Sequence, residues 1–401
     1  MKVCFVIQNL KMGGVQRALK SFCNELTARG IKIKIYVLEG ETTAQLISEF
    51  PKEIEIEYFS RRVQKVALII NTKFKNVYKK YGISGVLLKI MFSILWKTKH
   101  ERVVAQILFS NMYKCNNIQV LCSYDGMPFL ADACVRYYPS ECKKITWIHN
   151  EYKNYNINYE DTVRLYKDFE TIVCVSKGNV EDFLKVCPEF NEKTVLLRNC
   201  YSITEIQEKS NMINPYKGYN GFKLLTVCRM DNSSKRIDRM LEAIKFIVDN
   251  GYKDFKLYLV GEGKDLLWNK EYAKKLNIES YCVFVGRIDN PYPYYRYADL
   301  FLVSSDFEGS PLTIDEAMIC GIPSISTNYK SVYEKIVSDK NGLIVEKTPE
   351  AFGRAIMQVM SDNVLLKRLS QNAIEMMPRN EEAIRSFLEI IEFSDNVKGE
   401  K

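Results

Sequence analysis

Residues 306–323 read DFEGSPLTIDEAMICGIP and combine two carboxylates with the start and stop signals of a helix. Ser310 is a good N-cap and Pro311 a good first helical residue, because the proline ring presets φ where no N–H is needed. Gly321 and Pro323 mark the end. The backbone amides around Leu312 and Thr313 then point out of a helix N-terminus, where unpaired N–H groups and the helix dipole favour an anion such as a diphosphate. Glu316 follows the cap by six residues, ~9 Å along the axis at ~1.5 Å per residue, and its side chain leans back toward the N-terminus. A diphosphate on the amides therefore brings the adjoining ribose hydroxyls within reach of Glu316. Glu308 precedes the helix, on the loop facing the sugar side of such a ligand. Alone it reads as a solvated loop acid; the cap and the spacing make it a candidate for contact with the sugar.

Such a site belongs at the carboxyl end of a strand, where open α/β sheets bind ligands, and the run DLFLVSS at 299–305 supplies that strand. It is one of a series with KLLTVC (223–228), KLYLVG (256–261), CVFVG (282–286) and PSIST (323–327), separated by helical patterns such as 237–249. An earlier series opens the chain. Residues 3–7 read as a strand, a glycine-containing loop leads into a helix from about Val15 to Arg29, Gly30 closes it, and IKIKIYVL follows as a second strand. That is the βαβ unit of a parallel sheet, continued by apolar runs at 120–123, 145–149 and 172–176. The expected organisation is an N-terminal domain over 1–200, a linker without periodicity over 201–221, and a C-terminal domain over 222–378. Residues 379–401 close the chain with an amphipathic helix at 381–393, whose docking site the pattern does not give.

A length of 401 residues suits two domains, and 47% apolar with 26% charged residues is ordinary for a globular protein. No two of the twelve cysteines lie closer than Cys115 and Cys122, and only two histidines are present, which excludes metal-knuckle and multi-histidine sites. Cys4, Cys174, Cys228 and Cys282 sit in strand-like runs, where cysteine behaves as a small hydrophobe; reduced, buried thiols are expected, as in the cytosol. The apolar start VCFVIQNL is too short for a signal peptide. The longest apolar stretch, 83–96, is interrupted by Lys89 and falls short of the ~20 residues of a spanning helix. LVGEGKDL (259–266) begins like a dinucleotide fingerprint, but Leu266 stands where the third glycine belongs, so nicotinamide binding is not indicated.

Charge is unevenly spread. Between 61 and 114 stand twelve Lys or Arg and one acid, Glu101, a net of +11, which leaves −3 for the rest of a chain of net +8. Aliphatic and aromatic residues are interleaved with these charges (VALII, GVLLKIMFSILW). That combination suits a surface resting on anionic lipid, each basic residue near the membrane contributing ~1 kcal/mol. Core-packing helices with a solvated basic face give the same pattern. No recognition motif for nucleic acid accompanies the charge, and no nucleic-acid partner is expected.

In the form EGxPLxxxEAMxCGxP, residues 308–323 resemble the signature of the retaining family-4 glycosyltransferases (glycosyl transferases group 1) of GT-B fold, and the resemblance covers nearly the whole chain. It implies an α/β architecture of two Rossmann-like domains facing across a cleft, the first binding the acceptor and the second a nucleotide sugar. It implies that Glu308 contacts the transferred sugar, as a catalytic residue, and that Glu316 holds the ribose. TVCRMDNSSKRID (226–238) matches the family's basic pair and assigns Arg229 and Lys235 to the donor diphosphate, although Cys228 and Met230 replace the usual Gly and Leu. Fixed cations there stabilise the charge of a departing nucleoside diphosphate. KMGGVQR (11–17) parallels the family's N-terminal glycine loop; Gly13 and Gly14, lacking a Cβ, would let backbone approach the donor phosphates or the acceptor. Read alone, the pair is equally a tight turn. His149 in TWIHNEY matches a histidine near the transferred sugar, and Arg287 lies where the family contacts the base. With Ser310, Pro311, Leu312 and Thr313 these residues make up the expected donor site. No D-x-D sequence occurs, so no metal or other cofactor is expected.

The activity so implied moves a sugar, with retention at the anomeric carbon, from a UDP- or GDP-sugar to an acceptor hydroxyl. The leaving diphosphate itself helps to deprotonate that hydroxyl, and no side-chain nucleophile is required. A glycan or lipid-linked acceptor in surface-polysaccharide or capsule synthesis is expected, with the protein cytoplasmic and held at the inner face of the membrane by 61–114. A sugar-nucleotide epimerase or hydrolase of the same fold is the alternative, as is a non-catalytic docking protein; Glu308, Glu316, Arg229 and Lys235 occurring together speak against the latter.

Overall fold

The apolar runs become two parallel sheets. A computed structural model describes all residues except 12, 41–45, 99, 115–117, 126–129, 156 and 393–401, and the chain divides into two units. The first comprises Met1–Tyr201 and the segment from Asn380 onward, the second Ser202–Arg379.

In the first unit β1 (Lys2–Ile7), β2 (Lys32–Val37), β3 (Glu55–Tyr58), β4 (Val120–Ser123), β5 (Lys143–Ile148), β6 (Thr171–Cys174) and β7 (Thr194–Leu196) pair in parallel, in the order β3-β2-β1-β4-β5-β6-β7. Phe5 of β1 lies opposite Ile35 of β2 and Cys122 of β4. Central strands are covered on both faces, which is why VCFVI and VLCS read as unbroken apolar runs; β3, EIEY at the edge, keeps its glutamates in water. The final helix, Glu381–Glu392, packs on this unit. Phe387 lies 4.8 Å from the Phe22 ring and 6.0 Å from Trp147. Asn380 fixes its approach, accepting from the Tyr201 amide (2.9 Å) and donating to the Tyr201 carbonyl (2.7 Å) and to Glu25 (2.7 Å).

In the second unit β8 (Phe222–Val227), β9 (Phe255–Val260), β10 (Cys282–Gly286), β11 (Leu300–Val303), β12 (Ser324–Thr327) and β13 (Gly342–Val345) are parallel in the order β10-β9-β8-β11-β12-β13. Both sheets therefore contain the doubly wound order 3-2-1-4-5-6. The winding reverses between β1 and β4 in one and between β8 and β11 in the other, and ligands of such sheets sit at the carboxyl ends of those strands.

The stretch 201–221, read from the sequence as a linker without periodicity, contains local structure. Ile203–Ser210 is helical, and Tyr216 is buried, its hydroxyl donating to the Tyr294 carbonyl (2.7 Å) and its ring 4.6 Å from that of Tyr258. A two-turn helix whose buried residues are Ile206 and Ser210 leaves no period to read. The basic insert forms the helices Arg61–Asn71, Phe74–Lys97 and Glu101–Leu108. One face of it packs inward through Val63, Ala67, Val77 and Ala105. Among the described residues no helix is long and apolar enough to cross a membrane. The described cysteines are free thiols and mostly buried; Cys115 lies outside the described residues.

Candidate functional site

The switch point of the second sheet collects the charged residues. Cys228 and Arg229 leave the carboxyl end of β8, and Ser304 to Glu308 leave that of β11. Three sets of bonds tie the two segments together. The Ser304 hydroxyl donates to the carbonyls of Lys235 (2.8 Å) and Arg236 (2.9 Å), the Asp306 amide to the Ser234 carbonyl (2.9 Å), and Arg239 and Arg236 donate to the Asp306 carboxylate at 2.6 and 3.1 Å. Burial alone would raise the pKa of Asp306; the bonds from Arg239 and Arg236 outweigh it and hold that carboxyl below its ordinary value. Arg236 adopts a left-handed φ of 50° and ψ of 51°, which costs a residue with a Cβ ~1 kcal/mol. That strained residue adjoins Lys235, whose ammonium meets the carboxylate of Glu308.

Glu308 is held from three directions. Its Oε1 accepts from Lys235 and from the Ser305 hydroxyl (2.7 Å), and its carbonyl accepts from the Ser331 hydroxyl (2.7 Å). The Lys235 and Glu308 side chains are 21% and 16% exposed, shielded but open to a ligand. The charges of Lys235, Glu308 and Arg229 all reach the Cys228 thiol, so these groups share one corner. Burial dominates there and pushes the thiol up to about 11, keeping it protonated. The Arg229 side chain is 69% exposed, with the carboxylate of Asp231 at 3.7 Å.

The helix starts one residue later than its sequence suggests. Pro311, at φ −73° and ψ 93°, occupies the N-cap, and the helix is Leu312–Ile319. Its extended ψ keeps Pro311 outside the helix, so Ser310 is displaced from the cap; the Ser310 hydroxyl is buried and makes no bond among the described residues. No side chain caps the helix, and among the described residues neither the Leu312 nor the Thr313 amide has an acceptor. The predicted anion site is thus open. Glu316 stands one turn further in, 3% exposed, its Oε2 accepting from the Tyr295 hydroxyl at 3.1 Å. Arg287 follows β10 and pairs with Glu262 (3.2 Å) on the loop after β9, away from the Glu308 cluster's own bonds. That loop explains the false dinucleotide motif. A Cβ on Gly261, whose φ is 135°, would stand 2.0 Å from the Cys228 carbonyl oxygen, and one on Gly263 2.4 Å from that of Met230. The glycines let the loop close on 228–230, behind Arg229.

His149, Gly13 and Gly14 lie in the first unit. His149 follows β5 and is 6% exposed; its Nε2 lies 2.6 Å from the Tyr124 carbonyl. A carbonyl can only accept, so Nε2 carries the proton and Nδ1 the lone pair. Burial pushes the imidazole down to about 4, and it is neutral near pH 7. Close to the carboxyl end of β4, Asp125 accepts from the Gln8 amide after β1; burial pushes its carboxyl up to about 7 and that of nearby Asp132 up to about 6. Gly13 is the N-cap of the helix Gly14–Thr27 at φ −159°, extended backbone open to any residue, and a Cβ there would meet only the end of the Gln16 side chain (2.5 Å). Met12 of that loop lies outside the described residues. Ser305, Ser331 and Tyr295, which bond to the candidate glutamates, and Asp125, which neighbours Tyr124, are residues that sequence reasoning passed over. Ser305 borders the strand end and was within reach of it; YPYYRY and SYDG carry no spacing that singles out Tyr295 or Asp125. Among the described residues no cluster of three or more His, Cys, Asp or Glu is placed to hold a metal.

Comparison with known proteins follows the same division. Residues 211–376 match the family model of the glycosyl transferases group 1. An N-acetyl-alpha-D-glucosaminyl L-malate synthase of Bacillus anthracis is 32% identical over 35% of this chain and 37% of its own. A GalNAc-alpha-(1->4)-GalNAc-alpha-(1->3)-diNAcBac-PP-undecaprenol alpha-1,4-N-acetyl-D-galactosaminyltransferase of Campylobacter jejuni is 24% identical over 93% of this chain and 92% of its own. The chain spans only 37% and 56% of the first curated relatives it matches. The crystal structure of Anabaena HepE in complex with UDP and glucose superposes with a TM-score of 0.74 at 14% identity, over 98% of this chain and 99% of that one. The second unit thus carries the match to the group 1 glycosyl transferases, and the chain as a whole has the GT-B fold of two Rossmann-like domains.

Proposed function

We propose that the protein transfers a sugar from a nucleoside-diphosphate sugar to a hydroxyl of a glycan or lipid-linked acceptor, with retention and without a metal. The observation that carries this reading is the corner at the ends of β8 and β11, where the Lys235–Glu308 pair, Arg229 and the unoccupied amides of Leu312 and Thr313 stand together. The amides and the two cations suit a diphosphate, and the buried Glu316 suits the ribose hydroxyls beyond it. An arriving diphosphate competes for Lys235, which releases the Glu308 carboxylate to accept from sugar hydroxyls. As the glycosidic bond breaks, charge grows on the leaving diphosphate, where Arg229, Lys235 and the helix amides are already fixed. UDP is the favoured nucleotide, because solved structures of this fold are complexes with UDP. A lipid-diphosphate-linked glycan is the favoured acceptor, because Campylobacter relatives bear names of enzymes acting on diphospho-undecaprenol-linked glycans. Neutral His149 in the first unit has a lone pair at Nδ1 for an acceptor hydroxyl.

A panel of UDP- and GDP-sugars tests the reading, first by thermal stabilisation and then by transfer to polyprenyl-diphosphate glycans in EDTA, with the anomeric configuration read by NMR. Stabilisation by one donor and an α product are expected. No response to any nucleotide sugar overturns the proposal, and free sugar or an epimer formed without acceptor moves the activity to hydrolysis or epimerisation.

A further inference from the structure

Among the described residues, the helix Phe74–Lys97 lacks a partner on one side. Gly82, at φ 64° and ψ −163°, breaks it. Beyond the break Ile83, Leu87, Ile90, Met91 and Ile94 recur at helical spacing on the outward face and are 67%, 62%, 39%, 45% and 53% exposed. The inward face packs on the core of the first unit through Leu88 and Phe92. A helix apolar on both faces is normally enclosed on both, and a contiguous exposed apolar face marks a contact surface. Before the break Lys73, Lys75, Lys79 and Lys80 are all exposed, alongside Phe74 and Tyr78. Lys89, which interrupts the apolar run in the sequence, does not interrupt this face. Its ammonium is turned inward, donating to the carbonyls of Ile70 (2.7 Å) and Thr72 (2.6 Å) at the end of the helix Arg61–Asn71.

We infer that residues 83–94 lie in the plane of an anionic lipid leaflet, with Ile83, Leu87, Met91 and Ile94 among the acyl chains and the lysines at 73–80 on the headgroup phosphates. The inference rests on the lipid-linked acceptor proposed above and names the surface that brings the protein to it. Charge selects the occupant. A second copy docked on the same face would set two lysine clusters against each other, with no acid between 61 and 100 to answer either; anionic headgroups answer both. Length selects the mode. Twelve residues span ~18 Å as helix, well short of a ~30 Å hydrocarbon core, so the element rests within one leaflet.

Co-sedimentation with phosphatidylcholine vesicles, with and without phosphatidylglycerol, tests this. Binding to the anionic vesicles is expected, only partly released by high salt, because screening weakens the lysine contribution and leaves the apolar one. Leu87→Ser with Ile94→Ser is expected to weaken vesicle binding about tenfold or more, with UDP affinity, circular dichroism and thermal midpoint unchanged, since both side chains are exposed. Lys79→Ser with Lys80→Ser weakens the salt-sensitive part of binding alone, Lys73 and Lys75 remaining. Failure of the wild type to bind anionic vesicles, or wild-type binding by the Leu87/Ile94 variant, overturns the inference. So does a dimer in light scattering that the same variant dissociates, which assigns the face to self-contact. UDP affinity is read separately, so failure of the donor reading and failure of this one are told apart.

Discussion

Glu308→Gln separates the proposed electrostatic role of this residue from a merely structural one, because the two give opposite signs. The substitution keeps the size of the side chain and removes its charge. In the free protein the Lys235 ammonium is bound to the Glu308 carboxylate. A diphosphate that also engages Lys235 places a second anion ~6 Å from the first, on the other side of one ammonium. Two unit charges at that distance repel by about 3 kcal/mol at an effective dielectric of about 20, and solvent screening in a partly open site reduces this to about 1–2 kcal/mol. UDP should therefore bind Glu308→Gln more tightly than wild type, by roughly five- to thirtyfold, as read by isothermal titration calorimetry. Transfer should fall in the same variant by about a hundredfold or more, since the sugar loses a charged acceptor needed in the transition state. If Glu308 only orders its loop through Ser305 and Ser331, the amide loosens that loop and UDP binds more weakly. Equal or weaker UDP binding in Glu308→Gln refutes the electrostatic account.

Glu316→Ala should weaken UDP binding by about tenfold to a hundredfold, each hydrogen bond to a charged group contributing about 1.5–3 kcal/mol; unchanged affinity moves the ribose elsewhere. Gly261→Ala should destabilise the protein by about 3 kcal/mol or more in urea unfolding, because its Cβ would overlap the Cys228 carbonyl. Gly251→Ala, at φ 88° with open space around the Cβ, should cost only ~1–2 kcal/mol, and equal losses at the two positions would discount the overlap. The folded pKa of His149, about 4, lies below the unfolded value of ~6.5, so the unfolded state takes up the proton first. The stability contributed by the neutral imidazole is complete above pH 6.5 and lost as pH falls toward 4, an amount of about 3 kcal/mol. Relative to His149→Asn, the wild type should lose that much across the window in chemical unfolding, and a flat difference places a protonated histidine in the folded state.

Strands and helix ends were legible for a plain physical reason. Parallel strands buried on both faces must be apolar throughout, so KLLTVC and DLFLVSS announce themselves, and a strand followed by Ser-Pro and two glutamates locates a helix N-terminus at a strand's carboxyl end. The cap was off by one because proline's fixed φ serves N-cap and first-turn positions alike, and only ψ, which the surroundings decide, separates them. Tyr295 and Ser331 were invisible because their roles depend on contacts with residues 21 and 23 positions away, and nothing local marks them. Lys89 shows the opposite failure. Counted among the basic charges in the sequence, it is a half-buried cap on neighbouring carbonyls, and desolvation lowers its pKa. The tally of +11 therefore overstates the charge on the outward face while understating how continuous the apolar face is.

The two sheets share a strand order, yet their switch points differ in kind. At β8 and β11 the described backbone offers unpaired amides, the side chains offer Arg229 and Lys235, and Glu308 is ion-paired with Lys235, a partner that a ligand could take over. Around the ends of β1, β4 and β5 burial has moved the titrating groups toward neutrality, with His149 at about 4, Asp125 at about 7 and Asp132 at about 6. The first arrangement suits an anion such as the proposed diphosphate; the second sets a neutral imidazole near carboxyls that keep part of their negative charge near pH 7, which suits hydroxyls and would repel a diphosphate. Strand order alone could not distinguish donor from acceptor side, since it is the same in both. The electrostatics at the strand ends do differ, and they support the proposed assignment of the nucleotide to the second unit and of the acceptor to the first.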